Sequence, residues 1–200
     1  VAMDNLNDSI SGLPTPLDEA VQGMQLMATT TNGDIAKAEK VFSAVNNAVL
    51  GFGGSTADVN NAVLQLSQGF QNGKIDGMTW MSMMNSQMGP TLQAMATQMG
   101  LTTDELKSGL SDGSISVETF QDALINLNEQ GGGGLEALST VARDATGGIS
   151  TSVANMKTAV TRGVANMIET FDELSTQITG LTSGENISAF GSAIEGALTK

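Results

Sequence analysis

The stretch STADVNNAVLQLSQGFQNGKID, running from Ser55 to Asp76, decides the fold class. Ser55 and Asp58 stand three residues apart in front of an apolar series. In that pattern a hydroxyl and a carboxylate satisfy the free N–H groups at a helix start. Val59, Ala62, Val63, Leu66 and Phe70 then recur at steps of three and four, which places them on one face of a helix. Asn72-Gly73 ends the run, because a polar residue followed by glycine turns the chain. Ile75 anchors the turn inward and begins the next apolar series, which continues to about Gln87.

The same device recurs downstream. Thr102 and Glu105 form a second capping box, for a short helix ending near Asp112-Gly113. Ile115 then repeats the anchoring role of Ile75, and Val117, Phe120, Leu124 and Leu127 mark the next helix. Gly73, Ile75, Gly113 and Ile115 are therefore read as structural turn residues, and the chain between them as a degenerate internal repeat. Upstream, Thr15-Pro16-Leu17-Asp18 reads as an N-cap with proline at the first helical position. Ile35, Ala38, Phe42, Val45 and Val49 give a further helix, ending in the glycines of Leu50-Gly51-Phe52-Gly53-Gly54. Another break falls at Gly89-Pro90. No stretch alternates long enough to argue for a sheet, so the expected class is all-α.

Four consecutive glycines, Gly131 to Gly134, form the strongest boundary signal, since such a run favours a flexible link. The expected organisation is a compact multi-helix domain over 1–130, a glycine linker over 131–134 and a helical extension over 135–200 that continues into a longer parent chain. Within the extension, Val153, Met156, Val160, Val164, Met167, Phe171, Leu174 and Ile178 follow a period close to 3.6, the repeat of a straight helix. That stripe is longer than its short neighbours can cover. Val153, Met156, Val160, Val164, Met167 and Phe171 are therefore candidates for self-association.

Composition excludes several function classes. With no histidine and no cysteine, the chain cannot build a serine–histidine triad, a cysteine protease or a zinc finger. A formal net charge of −13, from 21 acids against 8 bases, repels phosphate backbones and anionic membrane faces, which argues against direct contact with nucleic acid or membrane. The turns at Gly73 and Gly113 fail as calcium loops: counting back from Gly113, the ligand positions are Ser108, Leu110, Asp112 and Thr119, with one carboxylate among four. Gly69 to Ile75 fails as a phosphate loop, because Ile75 stands where a magnesium-binding hydroxyl is needed. Asp104 with Glu105 and Asp172 with Glu173 are adjacent on helices and point apart, so neither makes a facing acid pair. No catalytic residue, cofactor or metal site is expected.

Met78, Met81, Met83, Met84, Met88, Met95 and Met99 crowd one segment around Trp80. Thioethers fill irregular cores and equally form adaptable partner surfaces; copper(I) ligation finds no support without cysteine or histidine. Phe70, Trp80, Met81, Met84, Met88, Phe120 and Leu124 are the core or interface candidates.

From Phe42 to Leu127 the motifs fall in an order that resembles the tape measure domain of tail tape measure proteins of long-tailed bacteriophages and prophages. The succession is Leu66-Ser67-Gln68-Gly69, Gly73-Lys74-Ile75, Gly89-Pro90, Gly100-Leu101-Thr102 and Gly113-Ser114-Ile115-Ser116. Each motif is short, and the specificity lies in their order. The methionine-rich stretch departs from the family pattern, which leaves the surface contacts open. The resemblance implies a non-enzymatic assembly role: a protein that sets tail length, occupies the lumen of the tail tube and leaves before the genome at ejection. It implies as partners the tail tube protein, the tail assembly chaperones, distal tail or baseplate proteins and further copies of the chain, with assembly in the host cytoplasm. A helical binding module with a methionine-rich surface, or a non-catalytic part of a tail-associated cell-wall hydrolase, are the competing readings.

Overall fold

The computed structural model describes residues 2–147. Among these, the chain forms nine helices and no strand: α1 (Ala2–Ser9), α2 (Leu17–Ala28), α3 (Ile35–Gly51), α4 (Thr56–Gln71), α5 (Gly77–Asn85), α6 (Gly89–Gln98), α7 (Thr103–Asp112), α8 (Val117–Gln130) and α9 (Leu138–Thr146). The expected all-α class is what the chain adopts. The candidate self-association residues Val153, Met156, Val160, Val164, Met167 and Phe171 lie outside the described residues.

Helix α3 is the axis of the packing. It touches α1, α2, α4, α8 and α9, and every residue from Val41 to Leu50 is buried. Enclosed on all sides, Val41 to Leu50 cannot be amphipathic, and this part of α3 solves the volume problem with small residues: Ser43, Ala44 and Ala48 let neighbouring helices approach. Where α2 crosses, Gly23 leaves the room that the Phe42 ring fills. Full burial of a side chain such as Phe42 stabilises the fold by about 1.5–3 kcal/mol.

Enclosure also buries polar groups, and two long-range bonds engage some of them. The Thr15 hydroxyl donates to Asn46 Oδ1 at 2.5 Å, and Asn47 Nδ2 donates to Asn128 Oδ1 at 2.8 Å. The first of these bonds overturns an expectation. Thr15 does not cap α2; Pro16 holds the N-cap position with no side-chain cap bond, because the threonine hydroxyl turns inward to the buried amide. At the rim, Lys37 Nζ meets Asp122 at 2.7 Å and Lys40 Nζ meets Glu129 at 2.8 Å, tying α3 to α8 through solvent-accessible pairs worth about 0–1 kcal/mol each.

The glycine run also departs from its expected behaviour. Gly131 to Gly134 form a tight folded turn in which Gly132 and Leu135 exchange backbone hydrogen bonds of 2.8 and 3.0 Å. Gln98 Nε2 donates to the Gly131 carbonyl at 3.1 Å, fixing the turn to the end of α6. All four glycines have φ between +58° and +137°, a region that side chains disfavour, so glycine is required here by conformation. The turn sends α9 back onto α3 and α8, with Val141 against Gly51. Residues on both sides of the run thus belong to one compact unit, and Leu135 lies in the turn rather than in the following helix.

Candidate functional site

The two turns read from the sequence are built alike. Gly73 (φ +70°) and Gly113 (φ +83°) reverse the chain in left-handed backbone geometry. Asp76 then accepts from the Thr79 N–H at 2.8 Å, and Ser116 accepts from the Thr119 N–H at 3.1 Å, so each turn ends in a side-chain cap. Ile75 is fully buried and Ile115 half-buried, which makes both anchors, the first the deeper.

Of the carboxylates weighed as chemistry, Glu105 and Asp112 accept from backbone N–H groups, while Asp172 and Glu173 lie outside the described residues. Both expected capping boxes form, at Ser55 with Asp58 and at Thr102 with Glu105. Backbone N–H donors hold Asp58, Asp76, Glu105 and Asp112 below the ordinary carboxylate range: the donor is Ser55 for Asp58, Thr79 for Asp76, Thr102 for Glu105 and Ser114 for Asp112. An acid catalyst needs the opposite shift. Asp104, Lys107, Ser108, Ser111 and Asp112 line a shallow hollow on α7, and all five are exposed. Among the described residues no cluster of three or more acidic, histidine or cysteine side chains could hold a metal ion, and no helix is long and apolar enough to cross a membrane.

The methionine-rich segment divides by helical phase. Met83, Met88 and Met95 are fully buried, with Trp80, Phe70, Phe120 and Leu124 in the same core, and Phe70 and Phe120 stack at 6.0 Å between ring centres, tilted by 57°. Met78, Met81 and Met84 project outward at 79%, 54% and 43% exposure, along one face of α5. Core and surface are thus both present, on opposite sides of one short helix. Sequence reading could have separated them: Met78, Met81 and Met84 follow steps of three, while Trp80 and Met83 share the other phase.

Beside this stripe, α4 exposes Leu64 and contributes Asn61, whose Nδ2 donates to Ser82 Oγ at 3.0 Å. No charged residue occurs from Gly77 to Thr103. In a chain of net charge −13, a neutral segment carrying three exposed thioethers has the composition of a protein interface core, where charge is depleted and methionine enriched.

Residues 1–184 match the family model described as tape measure protein, a span that includes every described helix. Among curated proteins and among solved structures, none matches the chain.

Proposed function

The chain belongs to the tape measure protein family, and from that premise we propose that it forms part of the ruler that sets the length of a phage tail. The family is one of structural phage-tail proteins, so the chain is a tail component. The observation that carries the proposal is the family match over residues 1–184, which extends well beyond the motif succession between Phe42 and Leu127. In this reading the chain occupies the tube lumen, with tail tube protein polymerising around it, assembly chaperones and distal tail proteins as partners, and several copies side by side. Assembly takes place in the host cytoplasm.

The proposal assigns no catalysis to the chain. Asp34, Asp58, Asp76 and Glu105 are engaged in helix caps, which supports an assembly role. The exposed Met78, Met81 and Met84 belong to that role as a contact surface, which brings the adaptable-binding reading into the assembly function.

Tail length is the test. A deletion in the long helical part of the parent gene shortens phage tails in proportion to the residues removed, as measured by electron microscopy; unchanged tail length overturns the ruler reading. Clearing of purified peptidoglycan by this chain, abolished by substitution of one carboxylate, would overturn the non-enzymatic one.

A further inference from the structure

We propose that Asn32 is a covalent modification site, at which the side-chain amide is lost through a cyclic imide formed with the backbone of Gly33, and that the fold confines this reaction to the first of three sequence-related turns. The turn sequence recurs at a spacing of forty residues: Asn32-Gly33-Asp34-Ile35, Asn72-Gly73-Lys74-Ile75 and Asp112-Gly113-Ser114-Ile115, with Leu26, Leu66 and Leu106 each six residues upstream. The three glycines share left-handed backbone, at φ +82°, +70° and +83°. Their surroundings differ, and the difference decides which turn reacts.

Asparagine followed by glycine suits this chemistry, because glycine has no Cβ to hinder the approach of its nitrogen to the preceding side chain. The Gly33 nitrogen gives up its proton to hydroxide and attacks Asn32 Cγ. A C–N bond closes a five-membered imide, and the side-chain nitrogen takes a proton from water and leaves as ammonia. Water then adds to either imide carbonyl and opens the ring. Opening at one carbonyl gives aspartate; opening at the other gives isoaspartate, in which the main chain runs through the former side-chain carbon. Solvent water is the only co-reactant.

The attack needs a glycine N–H free to lose its proton and a backbone free to bring the side chain onto it. The second turn denies both. Asn72 is the C-cap of α4, in right-handed helical backbone, and the N–H groups of Asn72, Gly73 and Lys74 donate to the carbonyls of Gln68, Phe70 and Gly69 at 3.1 Å each. The buried Ile75 then fixes the turn to Leu110. The third turn offers no amide to lose. Asp112 Oδ1 accepts from the Ser114 N–H at 2.8 Å, a bond that favours the ionised carboxyl, and a carboxylate resists attack by a backbone nitrogen.

The first turn is the loosest. Asn32 is exposed, lies between α2 and α3, and holds left-handed backbone at φ +53°. Its own N–H makes no hydrogen bond among the described residues, and the Gly33 N–H reaches the Ala28 carbonyl at 3.3 Å, past the usual range for such bonds. Ile35, the counterpart of Ile75, is 43% exposed and so does not anchor the turn. The product places a carboxylate two residues before Asp34, which caps α3 by accepting from the Lys37 N–H at 2.9 Å. Isoaspartate also lengthens the main chain between α2 and α3.

The test ages the full-length chain in mildly alkaline buffer, with a parallel sample in urea, and maps both by digestion and mass spectrometry. The mass gain of amide-to-acid conversion is read at each asparagine, and electron-transfer fragmentation separates aspartate from isoaspartate. In the native chain we expect Asn32 to convert at least tenfold faster than Asn72, with isoaspartate at Asp112 forming more slowly than at Asn32. In urea, where the turns no longer differ, Asn32 and Asn72 should convert at rates within about twofold of each other. Asn32→Gln, an exposed substitution whose longer side chain cannot close a five-membered ring, should remove conversion at this position and leave the rate at Asn72 unchanged. Equal native rates at Asn32 and Asn72, or faster loss at Asn72, overturn the proposal. So does a native chain in which Asn32 stays intact while the urea sample converts. A tenfold preference for Asn32 that persists in urea overturns it in favour of the neighbouring sequence, with no part played by the fold.

Discussion

The backbone N–H of Ile75 donates to the carbonyl oxygen of Leu110 at 3.2 Å, so the two turns that resemble each other in sequence also touch in space. The contact is one-way, since the equivalent N–H of Ile115 donates to the carbonyl of Gly109 in its own hairpin, at 2.9 Å. Residues forty apart match across the junction: Leu66 with Leu106, Gly69 with Gly109, Gly73 with Gly113, Ile75 with Ile115 and Thr79 with Thr119. The tilted rings of Phe70 and Phe120 join the hairpins a second time. Two helical hairpins of one design thus pack against each other and position α5, the helix that carries the exposed methionines.

This asymmetry predicts unequal costs for equal substitutions. Ile75 is 0% exposed, so Ile75→Ala leaves a cavity where the turns meet and lowers stability by about 2–5 kcal/mol. Ile115→Ala, at a half-buried position, costs less. Urea denaturation with unchanged m-values measures the difference. Equal costs would show that the turns are energetically equivalent despite their packing.

The buried amide pair gives a second prediction. Asn128→Ala removes the acceptor for Asn47 Nδ2 and leaves a buried donor unpaired, at a cost of about 1–3 kcal/mol. Adding Asn47→Ala removes the orphaned group, so the double variant is destabilised by less than the sum of the single variants. Additive costs would rule out coupling between the two amides.

How much of this was legible in the sequence depends on whether the signal is local. Ser55 with Asp58, Thr102 with Glu105 and the glycines at 73 and 113 act within four residues, and all of them perform in the structure as their spacing predicts. Thr15 has the same local credentials but bonds to Asn46, thirty-one residues away, and no window around Thr15 contains that partner. Helix α1, short and largely polar, has no apolar period to read. The all-round burial of Val41 to Leu50 depends on the helices around α3, so periodicity finds one inner face, misses the rest and counts Ile35, which is exposed, as part of it. Methionine is equally at home inside and outside, which is why the division of α5 becomes plain only once Trp80 and Met83 are placed in the core.

Stability falls on acidification, and the sign follows from the caps. The carboxyls of Asp58, Asp76, Asp112 and Glu105 are held below their ordinary range in the folded state, each first by a backbone N–H. A depressed folded-state pKa means the unfolded chain binds protons first. The stabilisation is complete above the unfolded values and is lost as pH falls through the folded ones. Melting temperatures should therefore hold steady from pH 7 to about 5 and decline below about 4. Asp58→Asn should flatten that decline. A decline of the same slope in Asp58→Asn would show that this cap carries none of the acid sensitivity.

The glycine run offers the sharpest test of turn against linker. At Gly131 (φ +73°) an added Cβ would stand 2.6 Å from the Leu135 carbonyl oxygen, backbone that cannot swing aside. At Gly134 (φ +91°) an added Cβ meets nothing within 4 Å. Gly134→Ala should therefore cost only the penalty of a side chain in left-handed backbone, about 1–2 kcal/mol. Gly131→Ala should add steric displacement of the turn and loosen α9 from α3. A flexible link predicts the opposite sign, because alanine there would restrict the unfolded chain and stabilise by about 0.4–1 kcal/mol at either position. Thermal unfolding of the two variants decides: the folded turn requires both melting temperatures to fall, with Gly131→Ala falling further, and a rise in both would restore the linker.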